Sequence, residues 1–101
     1  MSNDRETQPE LDEHVLGVIQ VQYNAAQRGA LTVWTIYDRP SDYPHGTMAR
    51  RHEVNRDGLV YPTDHILVGE LERLREIFDG AGLVKIERQG KDDPPIVETW
   101  L

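Results

Sequence analysis

Residues 31 to 54 alternate in polarity, break, and alternate again, and no other stretch limits the fold as tightly. In LTVWTIYD, residues 31 to 38, Leu31, Val33, Thr35 and Tyr37 line one side and Thr32, Trp34, Ile36 and Asp38 the other. That is the two-residue period of a strand. TMARRHEV, residues 47 to 54, reads as a second strand. Pro40, Pro44 and Gly46 between them rule out a continuous helix or strand, so the chain must turn there. NRDG, residues 55 to 58, is a hairpin signal, with Asp57-Gly58 supplying the positive-φ turn. LVYP then returns as a short strand that Pro62 is expected to stop. HILV, residues 65 to 68, fits either a further strand or the lead-in to a helix.

Helices are predicted on both sides of this β region. From Pro9 the apolar positions Leu11, Val15, Val18, Ile19, Tyr23 and Ala26 recur three or four apart, with Gly29 placed to end the helix. GVIQVQY, residues 17 to 23, also has β-branched content that suits a strand, but the helical spacing spans more of the segment. GELERLREIFDGAG is a second helix with Leu71, Leu74, Ile77 and Phe78 as its apolar stripe. Glu70 with Arg73, and Glu72 with Arg75, are expected as outward pairs. Gly80-Ala81-Gly82 ends that helix; it follows a helix and opens a strand, the reverse of a phosphate loop. LVKIER, residues 83 to 88, and IVETWL, residues 96 to 101, are strands joined by the polar turn QGKDDPP. The order predicts an α+β fold, a small and mostly antiparallel sheet packed with two helices. Residues 1–8 read as a disordered acidic arm and 9–101 as one domain. A terminal strand would need its edge blunted, and Lys91, Asp92, Asp93 and the neighbouring prolines suit that task.

Charge and residue usage then exclude whole classes. The net charge is −7, and the first 13 residues carry −4 of it as five acids against Arg5. An acidic chain argues against direct nucleic-acid binding and permits a protein partner with a basic surface. Cysteine is absent, so neither disulfides nor thiolate metal sites form. No apolar run approaches the ~20 residues of a membrane helix, and the polar acidic N-terminus is unlike a secretory signal. Together these favour the cytoplasm and no cofactor.

Recognition is expected in the 37 to 52 region, where aromatic, cationic and stiff residues crowd together. Tyr37, Arg39, Asp42, Tyr43, His45, Arg51 and His52 are the candidate binding residues. Tyr61 is expected near Tyr37 and Tyr43. Arg50 and Arg51 diverge on their strand, so one faces the apolar side and needs a partner such as Asp38, Asp42 or Asp64. Arg50 is the expected inward one, because it shares a side with Met48 and Val54. His14, His45, His52 and His65 lack the two-per-helix-face spacing of a zinc protease, so no metal site is predicted. Ser2 and Ser41 lie in no nucleophile elbow, and Asp92-Asp93 read as solvated turn acids, so no catalytic residue is assigned.

TIYDRPSDYP, ARRHEV and the closing DDPPIVETWL resemble segments of a family of small uncharacterised bacterial and phage-borne proteins. The resemblance covers about residues 33 to 101, with the preceding helix as an extension and His52 standing where the family often has an aromatic residue. It implies a compact domain and carries over no catalytic residue. The expectation is a non-catalytic protein-binding module, an adaptor or inhibitor of bacterial or phage origin. The alternative is a small hydrolase or metal-assisted enzyme built on His45, His52, Asp64 and His65. Exposed strand edges also leave a homodimer open.

Overall fold

The computed structural model describes residues 12–87 and 95–101. The expected arm at 1–8, the helix start at Pro9 and the turn acids Asp92 and Asp93 lie outside these residues. Helix α1 runs Glu13–Gln27, followed by β1 Leu31–Asp38, β2 Thr47–Val54 and β3 Val60–Val68. Helix α2 Leu71–Gly80, β4 Lys85–Glu87 and β5 Ile96–Trp100 complete the described chain. The strands form one sheet in the order β3-β2-β1-β5-β4, and every neighbouring pair is antiparallel. This is the α+β arrangement anticipated above.

Helix α1 starts at Glu13, where the Asp12 carboxylate caps it. Oδ1 accepts from the backbone N–H of His14 at 2.9 Å and of Val15 at 3.4 Å. At the other end Gly29, at φ +76°, donates to Ala26 O, and Ala30 N donates to Ala25 O. That crossed pair satisfies the last carbonyls and turns the chain into β1. A Cβ at Gly29 would also collide with the Arg56 guanidinium.

The helix is as expected, but its inward face is turned. Val18 and Ala25 are buried and Val15 and Gln22 partly so, whereas Ile19 and Tyr23 are exposed. Gln22 occupies an inward position because its side-chain oxygen accepts from the Thr32 hydroxyl. The α2 stripe of Leu74, Ile77 and Phe78 is buried as predicted. Arg75 keeps its contact with Glu72 at 3.8 Å, while Arg73 pairs with Asp12 at 2.6 Å and Glu76 at 3.3 Å rather than with Glu70.

Cross-strand partners share a sheet face, so the pairing assigns both faces. Trp34 stands opposite Trp100, and Ile36 opposite Ala49. These residues form the core with Val18 of α1, with Leu74, Ile77 and Phe78 of α2, and with Leu83. Both helices therefore lie on that one face. The second face carries Val33 opposite His52, Thr35 opposite Arg50 and Tyr37 opposite Met48. Neither helix covers it.

Three strand expectations change. Pro62 does not end its strand: β3 runs through it to Val68 and absorbs the HILV segment. The reason is position. Asn55 N donates to Leu59 O, and the alternation of an antiparallel pair then gives Pro62 an outward-facing nitrogen on an edge strand. The pairing slips just beyond, between Arg50 and His52, where the Thr63 hydroxyl donates to Arg51 O. Finally, β5 is not an edge: it lies between β1 and β4.

Candidate functional site

The loop 39–46 is held at both ends and folded over one end of the uncovered face. Arg39 N donates to Gly46 O at 2.8 Å, and Tyr43 N donates to Pro40 O at 3.0 Å. Arg39 takes a left-handed backbone, φ +53°, the only non-glycine among the described residues with a positive φ. Beneath the loop Met48 is 1% exposed, although it lies on the face away from the helices. It is not part of the core beside the helices, and it lines one hollow together with Pro40, Ser41 and Asp42 of the loop and with Pro95.

Three hollows flank this loop and the sheet beside it. The first, about 400 Å³, is lined by Tyr37, Pro40, Ser41, Asp42, Met48, Arg50 and Pro95. Arg50 spans it, donating from Nη2 to Asp42 Oδ2 at 2.8 Å and from Nη1 to Thr63 O at 3.4 Å. The second, also about 400 Å³, lies between Tyr43, His45, Gly46 and Thr47 of the loop side and Val68, Gly69 and Glu70. The third, about 350 Å³, is a shallow apolar trough on the uncovered face, lined by Val33, Thr35, Tyr37, His52, Val54, Val60, Ile96 and Thr99. Tyr37 borders the first and the third.

Within the trough, His52 stands apart. Its Nδ1 is buried and has no hydrogen-bond partner. Burial, and then the positive charge of Arg50, push its pKa below the ordinary imidazole value. The ring therefore presents a neutral surface.

Arg51 lies on the opposite side of the sheet. It belongs to a network with Arg28, Glu53 and His65 beside the helices. Arg28 grips Glu53 with two bonds of 3.1 and 3.0 Å, Arg51 Nη1 donates to the same carboxylate, and Arg51 Nε donates to His65 Nδ1 at 3.1 Å. His65 in turn meets the Trp34 ring edge-on, with centroids 4.9 Å apart. The two guanidiniums, Arg28 first, hold the Glu53 carboxylate below its usual pKa. Burial and then Arg51 push His65 down as well.

Of the candidate residues, Tyr37, Asp42 and His52 are thus gathered on or beside the uncovered face, while Tyr43 and His45 share the second hollow. Arg39 projects at the loop corner, 3.6 Å from Asp38. Arg51 is removed from this group, and Arg50 takes its place. Tyr61 does not join the other tyrosines, because its pairing with Glu53 sets it on the helix side. The residues missed by sequence reasoning are Met48 and the apolar trough; Val33, Val54 and Val60 were visible as strand residues but not as one surface.

The histidines do not converge. His52 and His65 sit on opposite faces, and His14 lies on α1, 3.6 Å from Asp12. Among the described residues no group of three or more His, Asp or Glu is placed to hold a metal ion. No helix there is long and apolar enough to cross a membrane. No family model matches this chain, and no curated protein or solved structure matches it either.

Proposed function

We propose that this chain is a non-catalytic protein-binding module, an adaptor or inhibitor, that docks a partner with a basic surface through the 39–46 loop. The observation that carries this reading is how the loop is anchored. Its closing bond from Arg39 to Gly46 and its inner bond from Tyr43 to Pro40 order the segment that carries Tyr43 and His45 before any partner arrives. A recognition loop ordered in advance loses less entropy on binding. Tyr43 and His45 flank a hollow that the exposed Glu70 carboxylate also lines. The chain's net charge of −7 supports a basic counterpart and fast electrostatic encounter. Its acidity and lack of cysteine support a cytoplasmic setting, and the resemblance noted above supports a bacterial or phage one.

The test is direct binding to a partner captured with the intact chain and then purified. Tyr43→Ala with His45→Ala should weaken that binding at least about tenfold while the melting temperature stays put. Glu72→Ala, on the far side of α2, should leave it unchanged. Equal binding by all three proteins would remove the loop from the interface.

A further inference from the structure

We propose that the uncovered face of the sheet closes against the same face of a second copy, giving a two-fold symmetric dimer. This goes beyond the loop-docking reading and does not depend on it. It assigns Tyr37 and His52 to the dimer and leaves Tyr43 and His45 outside it.

The first support is apolar exposure. Leu31, Val60, Ile66, Val68 and Ile86 all lie on this face and are each 40% exposed or more. The second is area. Strands about 4.8 Å apart rising about 3.4 Å per residue give this sheet roughly 500 Å² per face. Two copies then bring together at most roughly 1,000 Å², less the end under the 39–46 loop, which sets the pair among weak, concentration-dependent interfaces.

Charge is the third support. A net charge of −7 opposes self-association, but little of it lies here. Arg50 is neutralised by Asp42 of its own chain at the loop end, His52 is neutral, and Asp64 sits at the edge strand. Two such faces meet without like-charge conflict, whereas a basic partner would find no acid at the centre. Among the described residues, neither helix lies over the trough. Residues 1–11 offer only Met1, Leu11 and a proline as apolar groups, and residues 88–94 only a proline.

Sedimentation equilibrium of the full chain across the micromolar range tests this. The mass should rise toward twice 11.6 kDa. Val60→Glu with Val68→Glu, both at exposed positions, should weaken dimerisation at least about tenfold and leave the circular dichroism spectrum intact. Leu16→Glu, equally exposed but on α1, should leave the dimer unchanged. Because the chain lacks cysteine, a nitroxide on Ile66→Cys gives a second readout: spin–spin broadening between copies, absent for Leu16→Cys. A single-chain mass at every concentration would overturn the proposal. So would a dimer lost on Leu16→Glu but kept in the valine variants, or a label at Ile66 that senses no second spin. A foreign protein covering the face of a chain that stays monomeric would also overturn it.

Discussion

Arg75 on α2 holds Glu98 on β5 through two hydrogen bonds, Nε to Oε2 at 3.0 Å and Nη2 to Oε1 at 2.9 Å. Trp100 adds a third, from its indole N–H to the same carboxylate at 3.0 Å. The pair ties the second helix to a strand that returns to the sheet after the β4 turn. Glu98 is 3% exposed, while Arg75 is 37% exposed and also meets Glu72 at 3.8 Å. The two ends of the bridge are therefore unequal.

That inequality predicts an asymmetric mutant pair. Arg75→Ala strands a buried carboxylate and should cost about 3–5 kcal/mol. Glu98→Gln leaves a partly exposed arginine that still meets Glu72, and keeps an acceptor for Trp100, so about 1–2 kcal/mol is expected. Urea titrations of both variants decide. Equal losses, or a larger loss for Glu98→Gln, would contradict this account of the bridge.

Arg50 and Arg51 should separate in the same way. Arg51→Ala removes a donor from both Glu53 and His65 and should cost about 1–3 kcal/mol. Arg50→Ala breaks a partly exposed pair with Asp42 and should cost about 1 kcal/mol or less. Thermal melts of the two variants are the check. A larger loss for Arg50→Ala would restore the expectation drawn from the sequence.

Acidification should destabilise the chain in stages. Both His52 and His65 have depressed pKa values, so the unfolded chain binds protons near pH 6.5 that the folded chain refuses. The penalty is absent above about pH 6.5 and grows as the pH falls through the window below it. Glu53, held low chiefly by Arg28, and Glu98, held low chiefly by Arg75, follow at lower pH. Their stabilisation is complete above the unfolded carboxylate range and is lost as the pH drops through their folded values. The melting temperature should fall steadily from about pH 7 to pH 4. A flat profile from about pH 7 to pH 5 would show that the two imidazoles titrate normally.

Leu74 is fully buried at the middle of the α2 stripe. Leu74→Ala should cost about 2–5 kcal/mol by guanidinium chloride titration. Gly17 offers the opposite case. It lies in the interior of α1, and an added Cβ would meet nothing within 4 Å. Gly17→Ala should stabilise by about 0.5–1 kcal/mol. A loss of stability there, or a negligible one at Leu74, would mean the helical layer packs differently.

The alternating strands, the second helix and the turns were legible because local spacing dictates them. The α+β class followed from their order. What the sequence could not show is which side of β2 faces the helices. TMARRHEV has apolar residues on both sides. Met48 and Val54 looked inward, yet the small Ala49 is what admits a helix, and Arg51 and Glu53 beside it neutralise each other. Met48 is buried on the other face, beside a loop whose path no local pattern specifies. The face of α1 misled for a similar reason, since its inward set includes the polar Gln22 and the small Ala25. The candidate loop residues were identifiable by type, but their division between two hollows and two sheet faces is a tertiary fact.

Pro62 has a consequence for how many copies can assemble. An edge strand that accepts a neighbour exposes a fresh edge on that neighbour, and growth by this route has no natural end. A ring without an N–H at an outward position, beside a slip in register, denies the first step of such growth on the long β3 edge. Contact between faces works differently: once two sheets have met, neither has a face left to offer. Under the face-to-face pairing proposed above, the proline therefore favours a closed count of two over a fibre.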